Sequence, residues 1–330
     1  MDDLIKEPRL LEKLSGKIRL RGYSRSTEKN YSHWVKRYIL YHNKRHPKEM
    51  GIKEIEAFLT HLASQEQSSA STQNQALAAL QFLYKHVLEQ PLDGSVKALK
   101  AKKYHYIPTV LTVDEVQRLF QGLAGTQRLM AKLTYGSGMR VSETHNLRVQ
   151  DIDFRNRSIL VRDGKGRKDR FTILPESLVA RLQRHLVKVK ELHVKDLANG
   201  HGSSVMPRAY AKRMPHASKD FIWQFVFPSN SLFHDKDTGL SGRWHVHVST
   251  LQKAVQTAAR AADIRKRVTV HALRHSFATH LLLNGCDVRR IQALLGHAHV
   301  NTTMVYAHII DGQQLAVVSP LDRHGERGGS

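Results

Sequence analysis

A chain of 330 residues has room for two domains, each with a core of its own. Its 52 lysines and arginines against 29 aspartates and glutamates give a net charge of +23, which favours a polyanionic partner; nucleic acid fits best, because each neutralised phosphate releases counterions. No apolar run approaches the roughly 18 residues of a membrane span, no hydrophobic signal core follows Met1, and Cys286 stands alone, which excludes internal disulfides and the usual zinc sets and leaves a cytoplasmic protein without metal or membrane as the expectation.

In chain order, residues 1–90 read as helical. Leu10–Leu20 is one segment. Tyr31, Trp34, Val35, Tyr38 and Ile39 recur at helical spacing in the next, before Pro47 and Gly51 break the chain. Ile55, Phe58, Leu59 and Leu62 mark a third stripe, and Leu77, Leu80, Tyr84 and Val87 a further one before Pro91. The expectation is a small helical bundle. Residues 91–110 read as a linker carrying Lys100, Lys102 and Lys103, which either follows a nucleic-acid backbone or is a solvated tether.

Thr112-Val113-Asp114-Glu115 is a capping box that opens a second domain, residues 111–320. Helices are expected to about Leu147. Two strands follow, Ser158–Val161 and Arg170–Leu174, joined by the turn Gly164-Lys165-Gly166-Arg167. Helix returns from Glu176 to about Glu191. Residues 192–247 read as an irregular insert holding the aromatic block Phe221–Phe227. Helices are then expected at about 249–262, 271–284, 287–295 and 300–310, with a disordered tail over 321–330. The fold class is therefore mainly α with a small β-hairpin or sheet: an N-terminal helical bundle and a C-terminal mixed α/β domain.

Chemistry concentrates in the second domain. Arg140 stands in Gly136-Ser137-Gly138-Met139-Arg140, with Glu143 one turn on, where its carboxylate could orient the guanidinium. His271 and Arg274, three apart, share a helix face, and His297 precedes Tyr306 by nine residues. A tyrosine hydroxyl can act as a nucleophile that stays attached to phosphate. Arginine suits the charge building on phosphorus, because its fork is bidentate and never deprotonates. Histidine moves protons at neutral pH.

Each element alone is common in structural contexts, but the order Arg140, Lys165, His271, Arg274, His297, Tyr306 resembles the active site of the tyrosine recombinases, the phage-integrase type. The resemblance covers roughly residues 5–320. It implies a core-binding domain followed by a catalytic domain and attack by Tyr306 to give a 3′-phosphotyrosine. Lys165 would be the acid for the leaving 5′ oxygen. His297 would hold a phosphate oxygen or the nucleophile. Four protomers would act on DNA, in the bacterial nucleoid, with no metal, ATP or other cofactor.

Within that family, the long insert resembles the added segment of integron integrases, which recombine folded single-stranded hairpins with protruding bases. Arg243, Trp244 and His245, with His247 two positions on, fall where that group carries a basic residue and two histidines, although Trp244 departs from the pattern. Trp223, Trp244, His245 and His247 are candidate stacking surfaces for protruding bases; anchoring the insert is the other reading of Trp223, Phe225 and Phe227. Also compatible with the residues are a Xer- or phage-type integrase acting on duplex sites, a type IB topoisomerase-like enzyme, and a non-enzymatic DNA-binding protein on the same scaffold. The apolar segment Gln314–Val318 is expected to dock into a neighbouring protomer.

Overall fold

The computed structural model describes residues 9–92, 101, 108–162, 169–206, 210, 213–235 and 238–306. The chain divides into two compact units, Met1–Tyr106 and Ile107–Ser330. Among the described residues no helix is long and apolar enough to cross a membrane.

The first unit holds α1 (Leu10–Leu20), α2 (Arg25–Tyr41), α3 (Ile52–Ser64) and α4 (Ala70–His86). Ser24 and Ser69 cap α2 and α4, each hydroxyl accepting a backbone N–H three residues on. The apolar stripes close on one another: Trp34, Val35 and Tyr38 bury against Ile55, Phe58, Leu62, Leu80 and Leu83. Two tyrosines in that core satisfy each other, with Tyr38 Oη 3.1 Å from Tyr84 Oη, which donates to the Pro47 carbonyl at 3.0 Å.

The second unit begins with α5 (Val113–Gln121), α6 (Gly125–Ser137) and α7 (Val141–Asn146). The Thr112–Glu115 box caps α5 reciprocally, at 3.1 and 2.7 Å. A three-stranded antiparallel sheet follows in the order β1 (Ile152–Asp153), β2 (Ser158–Val161), β3 (Arg170–Ile173). β3 turns its polar residues inward: Thr172 is buried while Phe171 and Ile173 are exposed. Thr172 Oγ1 donates to the Ser137 carbonyl at the end of α6.

The helix expected to end near Glu191 runs on, as α8 (Glu176–Ala198). Its buried stripe of Leu178, Leu182, Leu186 and Val189 continues through His193 and Asp196. Both have partners in the following segment, His193 Nε2 at the Lys219 carbonyl and Asp196 at Arg243. The segment read as irregular also contains a hairpin, β4 (Pro228–His234) with β5 (Ser241–His245). Then come α9 (Val248–Ala261), α10 (Val270–Leu283), α11 (Val288–Leu295) and helical residues 301–306. α8, α9 and α10 pack around α6, and Leu129, Leu133, Leu182, Val255 and Leu273 share one core.

Candidate active site

Backbone chemistry sets the first half of the site. Gly138 ends α6 with φ +66°, and a Cβ there would lie 2.4 Å from Phe277. The chain re-enters helix two residues later with Arg140 as the N-cap of α7. Glu143, at the third helical position, accepts the Arg140 backbone N–H at 2.7 Å on Oε2 and Arg140 Nη1 at 2.7 Å on Oε1. The expected orientation of Arg140 by Glu143 is thus a capping box whose cap is itself the arginine.

Arg170, absent from the sequence reading, completes the arrangement. From β3 it donates Nη1 and Nη2 to the two Glu143 oxygens at 2.9 and 2.7 Å, and Nε to the Leu294 carbonyl at 2.8 Å. Gly296 leaves space for it, since a Cβ there would meet Arg170 Cδ at 2.6 Å. Burial alone pushes the Glu143 carboxyl up, but hydrogen bonds and charge from Arg170 and Arg140 outweigh it and hold the group at about 2.

The second half stands on α10, capped by Thr269, whose hydroxyl accepts the Ala272 N–H. Arg274 is 3% exposed. Its Nη1 donates to the Gly138 carbonyl at 2.6 Å and its Nη2 to the Leu295 carbonyl at 2.7 Å, so the ends of α6 and α11 orient it together. Burial, then the nearby charge of Arg140, lowers it to about 10, still cationic at neutral pH. Nη2 also lies 3.1 Å from His297 Nε2. That nitrogen therefore accepts, and Nδ1 donates to Thr303 Oγ1 at 2.9 Å. Burial and Arg274 hold His297 at about 4, a neutral imidazole.

Tyr306 is 3% exposed, its ring packed with Phe277, Ile291 and Leu295 and lying parallel to His297, centroids 6.3 Å apart. Its hydroxyl is 3.0 Å from His275 Nδ1. Of the two partners expected for His297, a phosphate oxygen or the nucleophile, the Tyr306 hydroxyl is bonded by His275, while His297 is engaged by Arg274 and Thr303. His271 is exposed, one turn before His275 with ring centroids 5.6 Å apart. Partial desolvation and the charge of Arg274 and Arg140 lower its pKa. Arg140, Glu143, His271, Arg274, His297 and Tyr306 are thus one neighbourhood. Lys165, and with it Lys100, Lys102 and Lys103, lie outside the described residues.

The chain matches the phage integrase family over residues 109–312, and the N-terminal SAM-like domain of phage integrases over residues 10–94. It belongs to the phage integrase family. An integrase/recombinase of Escherichia coli is 42% identical over 318 residues, spanning 96% of this chain and 94% of that one. Tyrosine recombinase XerD of Halalkalibacterium halodurans is 32% identical, spanning 88% and 89%. A crystal structure of a lambda integrase dimer bound to a core site has the same fold, with TM-score 0.61 at 17% identity and 97% of both chains covered. The protein is a tyrosine recombinase, and the expected mainly helical fold with small antiparallel sheets is that of the family.

In this recombinase the insert departs from two expectations. Trp223 offers no free face: it is 4% exposed, packed with Met206 and Ala217, its ring 5.1 Å from that of Tyr210. Buried Arg148, which the sequence did not single out, pins this region. Arg148 donates to the Trp223 and Val205 carbonyls and to Ser204 Oγ, and its guanidinium lies 4.5 Å from the centre of Phe225. Arg243 is likewise committed within the insert: Nε and Nη2 reach the two Asp196 oxygens at 2.6 and 2.9 Å, and Nη1 reaches the Ser229 and Asn230 carbonyls. Two expected stacking surfaces remain open to different degrees. Trp244 is 43% exposed, backed by Phe225, Phe233 and partly buried His245. His247 is exposed but caps α9, its Nδ1 accepting the Ser249 N–H at 3.2 Å.

Proposed function

We propose that this tyrosine recombinase cleaves and rejoins DNA with Tyr306 as nucleophile, and that it is an integron integrase acting on folded single-stranded attC hairpins and on attI. The observation that carries the chemistry is the gathering of Arg140, Arg274 and two neutral histidines around one buried phenol. Arg140 and Arg274 stabilise the charge developing on the phosphate. The Tyr306 oxygen gives its proton to His271 and bonds to phosphorus as the 5′ oxygen leaves, and Lys165 supplies the proton to that leaving oxygen. His271, at the mouth of the site, moves protons, and His297, bonded to Arg274, supports the phosphate contact. Because the phosphotyrosine keeps the ester energy, the freed 5′ hydroxyl of a partner strand can reverse the step without ATP. Residues 1–90 act as the core-binding domain, 91–110 as a linker placing Lys100, Lys102 and Lys103 along the backbone, and 111–320 as the catalytic domain, in a DNA-bound tetramer.

The integron reading is supported by the exposed Trp244 on the insert hairpin, a flat surface for a protruding base. A cavity of about 490 Å³, lined by Glu143, Arg148, Asp151, Arg162 and Tyr210 among others, runs from the carboxylate of the arginine cluster to the insert. The deciding experiment compares strand transfer on an attC hairpin with transfer on the same sequence as a duplex. Transfer from the hairpin is expected; transfer from the duplex alone would make this a duplex-acting integrase. Tyr306→Phe should form no covalent adduct with either.

A further inference from the structure

The sequence HALRH, residues 271–275, contains a second histidine directly after Arg274, to which the mechanism above assigns no step. Its place in α10 is four residues after His271 and therefore on the same helix face. A buried phenol needs a hydrogen-bond partner, and the structure gives Tyr306 one, His275 Nδ1 at 3.0 Å. The other sides of the phenol are set by packing: the ring of His297 lies parallel to it, and Phe277, Ile291 and Leu295 enclose it. Those contacts set the ring plane, but none of them directs the hydroxyl hydrogen or holds the oxygen; a hydrogen bond to a side chain on the same helix as Arg274 does.

We propose that His275 is a positioning residue for the nucleophile: its Nδ1 accepts the Tyr306 O–H and holds the phenol oxygen at a fixed place beside Arg274 before DNA arrives. The inference rests on Tyr306 being the nucleophile. Burial, with the charge of His271 and Arg274, holds the His275 imidazole at about 4, so it is neutral and able to accept. The bond links two elements far apart in sequence, α10 and the 301–306 helix, and so joins the arginine and the nucleophile into one unit.

The test uses the full chain carrying 3-fluorotyrosine, in which the fluorine resonance lost in Tyr306→Phe belongs to Tyr306. His275→Leu and His275→Gln remove an acceptor at the δ position, whereas His275→Asn retains one. The Tyr306 resonance should move in the first two and stay near its native position in the third. On a nicked attC hairpin and a nicked attI duplex, the single-turnover rate of covalent adduct formation at saturating protein should fall on the order of tenfold in the Leu and Gln variants, the size expected for one lost buried hydrogen bond. It should recover in His275→Asn, with DNA affinity unchanged throughout. Native rates in His275→Leu, an unmoved resonance, or an Asn variant no better than Leu would overturn the proposal. Adduct formation by Tyr306→Phe would instead overturn the nucleophile assignment, and the fluorine spectra would still report on the His275 contact.

Discussion

Arg170 and Glu143 meet fork to fork, with both guanidinium Nη atoms on both carboxylate oxygens at 2.9 and 2.7 Å, and both side chains less than a tenth exposed. The pair ties β3 to the start of α7, and through the Leu294 carbonyl to the end of α11. One carboxylate thus hydrogen-bonds two arginines, Arg170 and Arg140, and lies 3.8 Å from a third, Arg274.

Removing Arg170 takes two charge-assisted hydrogen bonds from the buried Glu143 carboxylate and leaves it to Arg140 and, at 3.8 Å, Arg274. Arg170→Met should therefore cost about 1.5–3 kcal/mol of unfolding free energy. Arg170→Lys, which replaces the planar fork by a point charge, should fall between Met and native. Adding Glu143→Gln to Arg170→Met should deepen the loss, because Arg140 and buried Arg274 then face no carboxylate. Urea unfolding of the four proteins gives the values, and an Arg170→Met chain within about 1 kcal/mol of native would show the pair to be dispensable.

Acid should destabilise this protein well above the range of ordinary carboxylates. In the folded chain His275 and His297 are held at about 4, against 6.5 for an unperturbed side chain. As pH falls from 6.5 towards 4, the unfolded chain takes up these protons and the folded chain does not, so stability is lost across that window and is fully present above it. Each histidine contributes on the order of 2–3 kcal/mol. Melting curves between pH 7 and 4 should fall, and a chain with His275→Asn and His297→Asn should show a shallower fall. It should not be flat, because burial also lowers His145, His185 and His280. An unchanged slope in the double variant would contradict the assignment.

Gly138→Ala should be among the more damaging single-methyl additions in the chain. The residue sits at φ +66° and the new Cβ would lie 2.4 Å from the Phe277 ring, which also packs Tyr306. Left-handed backbone costs about 1–2 kcal/mol for a non-glycine residue, and the displaced ring adds to it. Both the melting temperature and the rate of adduct formation should drop, and a variant with native values for both would mean that Phe277 can step aside.

How much of this was legible in the residues varies with the kind of contact. The Thr112–Glu115 box and the strands around 158–161 and 170–173 follow from local rules, and local rules suffice there. Glu143 was readable as a partner of Arg140 because the two are one turn apart. Arg170 was not: its partners lie 27 and 124 residues away in sequence. The strand that carries it also inverts the usual pattern, with Phe171 and Ile173 outward and Thr172 inward. His275 was hidden by its neighbour, since adjacent residues on a helix normally face apart and Arg274 drew the assignment. In the insert, polar composition suggested open chain, yet Arg148 and Asp196 bury their charges to hold it, which pattern alone does not reveal.

The two insert tryptophans should separate cleanly. Trp223 is 4% exposed and its carbonyl is held by Arg148, so Trp223→Ala opens a cavity and should cost about 3–5 kcal/mol. Binding should suffer equally on hairpins with and without protruding bases, because what fails is the insert. Trp244 is 43% exposed and backed by Phe225 and Phe233, so Trp244→Ala should leave the melting temperature within a degree or two on the order expected for a surface change. Its loss should appear only on the hairpin with protruding bases, by about 1–3 kcal/mol, the size of one stacked base. Equal losses for Trp244→Ala on both hairpins would remove base stacking from the role of this surface, while leaving the arginine–tyrosine site as it is.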